Sequence, residues 1–397
     1  MLTIQRKFNM KKRLLSFAVA SALLSSSLHA EIHLNGFASI VGGATTSSDD
    51  RLYGYDNDFN FKQGSLVALQ ASSDLENGLG VTVQLTAKGV DDWDPEFKWA
   101  FVSYDVNDNL RVLAGRQRAP FYMYSDFLDV SYAYPWISPP KGVYDLIFDT
   151  FDGLGAVYNT TLGDVDATFH GIYGRNTDEI SAFGQLTTPD IKGMTGLAST
   201  FNYEWLTFRG AYFVADVTIP FNALSELANG FNTFSQAVPQ LAPPLIDAAN
   251  NTLIEKDDAS FMEFGFQMNF DELIIVGEYT KLEIKNTPLA EEKSYYLMAG
   301  YQFDSVLVHL TYGVDDNQSN VFTSDIPFGL DSNLDQLKGG IEGFVTDQNS
   351  EESYIMLGAR YDFHDSAALK FEYTDFSDDN NSNNDAGLFR VALVTLF

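Results

Sequence analysis

Apolar and polar residues alternate one by one along most of the chain after residue 30. In "GVTVQLTAKG" (80–89), Val81, Val83, Leu85 and Ala87 share one face, while Thr82, Gln84, Thr86 and Lys88 share the other. A period of two marks a strand with one oily and one wet face. In "SFMEFGFQMNF" (260–270), Met262, Phe264, Phe266, Met268 and Phe270 oppose Glu263, Gly265, Gln267 and Asn269. "VLVHLTYGV" (306–314) and "ALKFEYTDF" (368–376) repeat the pattern. It predicts sixteen strands, near 32–44, 63–73, 79–90, 96–105, 110–117, 153–162, 165–174 and 195–204 in the first half. The second half adds 206–217, 259–270, 273–285, 293–303, 306–315, 352–363, 367–376 and 386–397.

The links between these strands decide which way the oily face points. Seven are tight turns, such as "DLENG", "VND", "LGD" and "HDS". They alternate with the links 45–62, 91–95, 118–152, 175–194, 218–258, 286–292, 316–351 and 377–385, most of them long and polar. Short turns at one end and long loops at the other, with an even strand number, fit a barrel that spans an outer membrane. The wet faces carry Lys98, Arg209, Glu263, Gln267, Glu278, Lys370, Glu372 and Arg390, a set too charged for a dry interior. The fold class is therefore all-β, a transmembrane antiparallel β-barrel of about 16 strands with its oily faces toward lipid. Residues 218–258 form a long extracellular loop, and a short helix is expected at 222–227 within it.

The first thirty residues read differently. Arg6, Lys7, Lys11, Lys12 and Arg13 precede the short apolar run "LLSFAVASALL" (14–24), and "SSSLHA" ends on Ala30. This is the pattern of a cleaved export signal, too short to be a spanning helix. Residues 1–30 are read as signal peptide and 31–397 as one barrel domain in the cell outer membrane. Met10 is itself a conventional start. Five of the 24 basic residues lie in 1–30, leaving 19 against 54 acidic ones, a net charge of −35. So acidic a chain is a poor partner for nucleic acid. It has no cysteine, which removes disulfides and thiolate metal sites.

One link carries candidate chemistry. Segment 118–152 is long and aromatic, with Phe121, Tyr122, Tyr124, Phe127, Tyr132, Tyr134 and Trp136 among its residues. Such a loop is too oily for solvent, and folding into the lumen would bury it. A sixteen-stranded barrel encloses an aqueous channel that an inserted loop would narrow. The segment also carries Asp126, Asp129, Asp145 and Asp149. Facing basic wall residues, these would set a field across the narrow zone. Candidate wall residues are Arg116, Arg118, Lys98, Lys88 and Arg209. Strict alternation turns Arg116 outward if Arg111 faces the lumen, and both face inward only with a bulge, for which Gly115 is a suitable place. Of the two, Arg116 is the expected lumen residue.

The stretch "DNLRVLAGRQRAPFYMYSDFLDVSYAYPWISPP" (108–140) resembles the Gram-negative general porin family, sixteen-stranded and usually trimeric diffusion channels. The resemblance extends, as architecture, over 31–397. It implies that the loop after the fifth strand folds into the barrel, with Arg116 at the Gly-Arg step in the basic wall of the constriction. It further implies a homotrimer passing small hydrophilic solutes and ions. The terminal strand "GLFRVALVTLF" ends on Phe397 and resembles the signal read by the barrel assembly machinery, although Thr395 departs from it. The second long-side link, around "VDDWDP" (90–95), is very short for a latch onto a neighbouring subunit.

Three alternatives accompany this reading. A substrate-specific outer-membrane channel differs only in its lining. A barrel enzyme would need a nucleophile and base. Only His33, His170, His309 and His364 follow residue 30, and no "GxSxG" occurs. A surface receptor or adhesin would use the long loops. The acidic tips "TSSDDR", "YDNDF", "VDDNQSN" and "SDDNNSNND" lack the spacing and central glycine of a calcium loop. Loose divalent bridging to lipopolysaccharide is their minority reading. No cofactor, metal site or catalytic residue is predicted. Few loop lysines and a negative vestibule predict a weak preference for cations.

Overall fold

The computed structural model describes residues 31–397, and the export signal expected at 1–30 lies outside the described residues. Sixteen antiparallel strands close into one barrel. They are β1 (Ile32–Thr45), β2 (Leu66–Asp74), β3 (Leu79–Lys88), β4 (Pro95–Asp105), β5 (Leu110–Arg118), β6 (Thr150–Leu162), β7 (Val165–Asn176) and β8 (Asp190–Tyr203). The chain continues with β9 (Leu206–Thr218), β10 (Glu255–Phe270), β11 (Leu273–Ile284), β12 (Glu291–Phe303) and β13 (Val306–Gln318). It ends with β14 (Ser350–His364), β15 (Ala367–Asp378) and β16 (Ala386–Leu396). Each strand pairs with its sequence neighbours, and β1 closes the ring against β16. At the seam Gly36 N–H donates to the Phe397 carbonyl at 2.6 Å, and Phe397 N–H donates to Gly36 O at 2.9 Å. Closure leaves no sheet edge, so the ladder satisfies the backbone without water, as a lipid environment demands.

The alternation seen in the sequence becomes two surfaces. Phe264, Phe270, Leu310, Tyr312, Leu357 and Phe371 are exposed on the outer wall. Glu263, Glu278, His309, Thr311, Lys370 and Glu372 point inward and are buried. Their burial means that the lumen is filled at their level.

Three departures from the expected pattern lie in the long links. The helix expected at 222–227 runs over Asn222–Ala237 (α1) and is followed by Ala242–Thr252 (α2). The former buries Leu224, Ala228, Phe231 and Ser235, one stripe of a 3.6-residue period. The latter opens on two prolines, whose missing N–H groups cost nothing in a first turn. A third helix, Ser332–Thr346 (α3), stands where only a polar link was expected. The Asp331 side chain caps it by accepting from the N–H groups of Asn333 and Leu334. Its buried stripe, Leu334, Ile341 and Val345, joins the stripes of the other two helices in one apolar cluster. A small hairpin, Ile180–Ala182 with Gln185–Thr187, completes this rim.

Candidate functional site

The site is assembled by the segment between β5 and β6. It leaves the wall at Arg118 and crosses the lumen, because its aromatic residues have no other place to shed water. Phe121, Tyr122, Tyr124, Tyr134 and Trp136 are all buried. Phe121 packs on Phe213 of β9 and Phe261 of β10, with ring centroids 5.2 and 5.0 Å apart. Trp136 packs edge-on against Tyr296 of β12 and donates its indole N–H to Thr311 of β13 at 2.8 Å.

Its base is a cluster of six charges. Arg118 meets Asp129 at 2.5 Å and Asp149 at 3.3 Å. Lys88 of β3 reaches Asp129 at 3.1 Å, and Lys98 of β4 reaches Asp149 at 3.1 Å and Glu96 at 2.9 Å. Three cations thus balance three carboxylates, the condition for keeping charge away from water. Burial opposes ionisation of Asp129, yet Lys88 and Arg118 outweigh it and hold the carboxyl well below the usual carboxylate range. Asp149 is also lowered, where Arg118 and Lys98 overcome burial.

The far side of the segment is tied to the opposite wall. Arg209 of β9 donates to the carbonyls of Pro120 and Phe121 at 2.5 and 3.1 Å while pairing with Glu263 at 2.6 Å. Glu278 of β11 accepts from Met123 N–H at 2.8 Å and from the Tyr144 hydroxyl. Lys370 of β15 donates to the carbonyls of Ser131, Tyr134 and Trp136. Arg360 of β14 holds the Tyr132 carbonyl at 2.7 Å. Glu372 accepts from Ile137 N–H at 2.6 Å, and Arg390 of β16 pairs with Glu372 at 2.7 Å. A buried ammonium that satisfies three otherwise orphaned carbonyls is a strong tie.

The candidate site residues therefore separate. Arg118, Lys98, Lys88, Asp129 and Asp149 come together, but in closed ion pairs rather than facing one another across an aqueous gap. Arg209 serves the loop backbone. Asp145 pairs with Lys141 of its own segment at 3.0 Å and is well exposed. Asp126 lines a cavity on the short-turn side. Arg116 is a correction. It pairs with Ala100 and Asp152 in continuous register, in the rows that expose Val102 and Leu154 on the outer wall. No bulge intervenes at Gly115, although its φ of +128° is open only to glycine. Arg111 faces the lumen, and Arg116 binds Asp152 and Asp178 outside, each at 2.8 Å. Lys98 does sit at a register shift, between the pairs Gln84↔Trp99 and Leu85↔Phe97.

A further constellation lies on the long-loop side. Ser294, Asp315, Glu352 and Asp378 are direct cross-strand partners on β12–β15 and face inward. Three of the four are carboxylates, where like charges directly opposite repel. The strand that carries Asp378 runs two residues beyond the expected 367–376, and only the register aligns the four.

A family model described as "Gram-negative porin" matches residues 16–381. The chain belongs to that family. The fold of this porin is similar to solved structures at low identity. A trimer form of OmpT, an outer membrane protein of Vibrio cholerae, shares 12% identity with a TM-score of 0.52, covering 93% of this chain and 99% of that one. OmpF of Salmonella typhi, in complex with daunomycin, shares 12% with a TM-score of 0.57, covering 92% and 97%. The outer membrane channel DcaP of Acinetobacter baumannii shares 11% with a TM-score of 0.53, covering 94% and 99%. No curated protein matches the sequence. Family and fold together point to an outer-membrane channel rather than an enzyme.

Proposed function

We propose that this porin is a passive, water-filled channel for small hydrophilic solutes and ions, weakly selective for cations. The carrying observation is the inward row Asp315, Glu352 and Asp378, with Glu292 one register step away on β12. None of the four makes an ion pair among the described residues, whereas the lysines and arginine at the base of the inserted segment are all committed. An uncompensated carboxylate row in a narrow lumen raises the local cation concentration. The long-loop end is extracellular in this reading and the short-turn end periplasmic, with Phe397 as the assembly signal and outer-leaflet lipopolysaccharide as neighbour. Assembly is a homotrimer, supported by the exposed aromatic outer walls and by the trimer form of the Vibrio cholerae protein. The β3–β4 link offers little to latch a neighbour, so the flat walls carry that contact.

A substrate-specific channel is the second reading, favoured by how completely the inserted segment fills the barrel. Planar-bilayer recording in a salt gradient tests the first. Current steps in groups of three and a reversal potential of cationic sign are expected. A clear anion preference overturns the proposed selectivity, and absence of conductance overturns the channel.

A further inference from the structure

The inserted segment leaves no side of the lumen open. On each of the sixteen strands at least one inward-facing side chain is buried, among them Ala68 of β2, Phe151 of β6, Ala198 of β8, Glu278 of β11, Met356 of β14 and Val394 of β16. A water path along a strand would leave its inward residues wet from one end to the other. On no strand is that so. If the barrel is a channel, solutes pass only when part of the segment moves.

The segment crosses in two windings that are held very differently. The first, 119–138, carries the anchors to Arg209, Glu278, Arg360, Lys370 and Glu372. It ends where Arg390 donates to the Ser138 hydroxyl at 2.9 Å. The second, 139–148, opens on two prolines, which have no N–H to donate, and returns across the long-loop side. There Gly142, at a φ of +82°, packs against Asp315 of β13. Among the described residues this winding makes two hydrogen bonds to the wall. The Tyr144 hydroxyl donates to Glu278, and the Tyr354 hydroxyl donates to the Lys141 carbonyl at 3.5 Å. Its charges, Lys141 and Asp145, pair with each other. Asp145 also repels Glu292, Asp315 and Glu352 on the wall behind it.

We propose that the winding 139–148 is a gate, which closes the lumen while it rests on β11 and β13 and opens it by lifting toward the long loops. The inference rests on the channel reading and adds a closed resting state to it. Burial of Val143 holds the winding down, whereas like charge pushes it off the wall. Its rings are shared with the arc beneath: Tyr144 lies 4.5 Å from Tyr122, and Phe148 meets Phe121 edge-on at 5.7 Å. Glu278 joins the two layers, since it accepts from Tyr144 and from Met123 N–H. Lifting the second winding therefore strips packing from 121–124 and lets that arc give way. The base cluster and Lys370 keep the remainder of the first winding in place. Two positions of one packed element, biased by a few contacts, make a switch.

The test uses a disulfide in a chain that has no cysteine of its own. A Cβ on residue 142 stands 3.4 Å from the Asp315 Cβ, close to the lower end of the roughly 3.5–4.5 Å that a disulfide spans. The full-length double variant Gly142→Cys with Asp315→Cys is recorded in planar bilayers, oxidised and then reduced with dithiothreitol, with free thiols counted in each state. The oxidised form should stay closed and the reduced form should conduct, a comparison in which the lost Asp315 charge cancels. Tyr144→Phe, which keeps the ring and removes the hydrogen bond to Glu278, needs no strained residue at 142. It should raise the open-to-closed ratio of single channels about tenfold. An oxidised form that conducts like the reduced one, thiols that fail to join in the folded barrel, or an unchanged ratio in Tyr144→Phe would overturn the gate. Those results leave the channel reading standing, whereas a chain that conducts in no form loses that reading and the gate with it.

Discussion

Arg118 and Asp129 meet at 2.5 Å with side chains only 2% and 6% exposed, where the fifth strand hands over to the segment that crosses the lumen. The pair joins wall to loop, so its strength decides how firmly the lumen stays obstructed. Asp129→Asn leaves the guanidinium short of one of its two carboxylate partners in a site closed to water. Breaking a buried pair from one side costs about 3–5 kcal/mol. A lower unfolding temperature of the detergent-folded barrel and larger, noisier current steps are expected. Unaltered steps would show that this tie does not set the aperture.

The same pair fixes a pH dependence. A carboxyl whose folded pKa is depressed contributes stability above its unfolded value, about 3.9 for Asp, and loses it as pH falls through the lower folded value. Asp129 and Asp149 are both depressed. The base of the inserted segment should therefore hold from neutral pH down to the ordinary Asp range and loosen only below it. Single-channel traces recorded across this interval would read it, and loosening already near neutral pH would contradict it.

Lys370 ties the far side by serving three loop carbonyls. Lys370→Met keeps the stem but leaves those acceptors without a donor, at about 1–3 kcal/mol for each buried group left unpaired. Conductance should rise, and the double variant with Asp129→Asn should open the lumen further than either change alone. Current step histograms of the three variants would check this.

Selectivity should follow the carboxylate row rather than the basic cluster. Asp315→Asn combined with Glu352→Gln removes two of its charges and should cut the cation-to-anion permeability ratio by about twofold or more, with the effect shrinking at high salt. An unchanged reversal potential would relocate the filter.

Arg116 provides the opposite expectation. Its partners are Asp152, beside it in the outward-facing row of β6, and Asp178 in the link after β7. Arg116→Ala should leave the reversal potential where it is and change stability by less than about 1 kcal/mol. Gly115→Ala, one residue away, should be far worse tolerated. Its φ is +128°, and a Cβ there would stand 2.3 Å from the Ala100 carbonyl oxygen. Loss of the folded, heat-modifiable band for Gly115→Ala but not for Arg116→Ala would bear out the contrast.

Much of this molecule was written in its alternation. A side-chain period of two is a local property of extended backbone, so Phe264 against Glu263, or Leu310 against His309, declared their faces without any tertiary knowledge. Turn lengths are local too, and with the faces they gave sixteen strands and the loop that could not remain in solvent. The α3 helix went unread because its apolar stripe, Leu334, Ile341 and Val345, is sparse within a polar stretch and gains meaning only against its neighbours.

What tertiary structure alone decided were the places where alternation stops. Arg116 and Arg118 have the same parity, yet one stays on the outer wall while the other, where the strand ends and the chain bends inward, turns to the lumen. Lys98 needs a register shift that depends on its partner strand. Asp315, Glu352 and Asp378 lie far apart in sequence, and only the ladder between β13, β14 and β15 sets them side by side. Periodicity is fixed by each residue's own backbone, whereas pairing across a closed barrel is fixed by every strand at once.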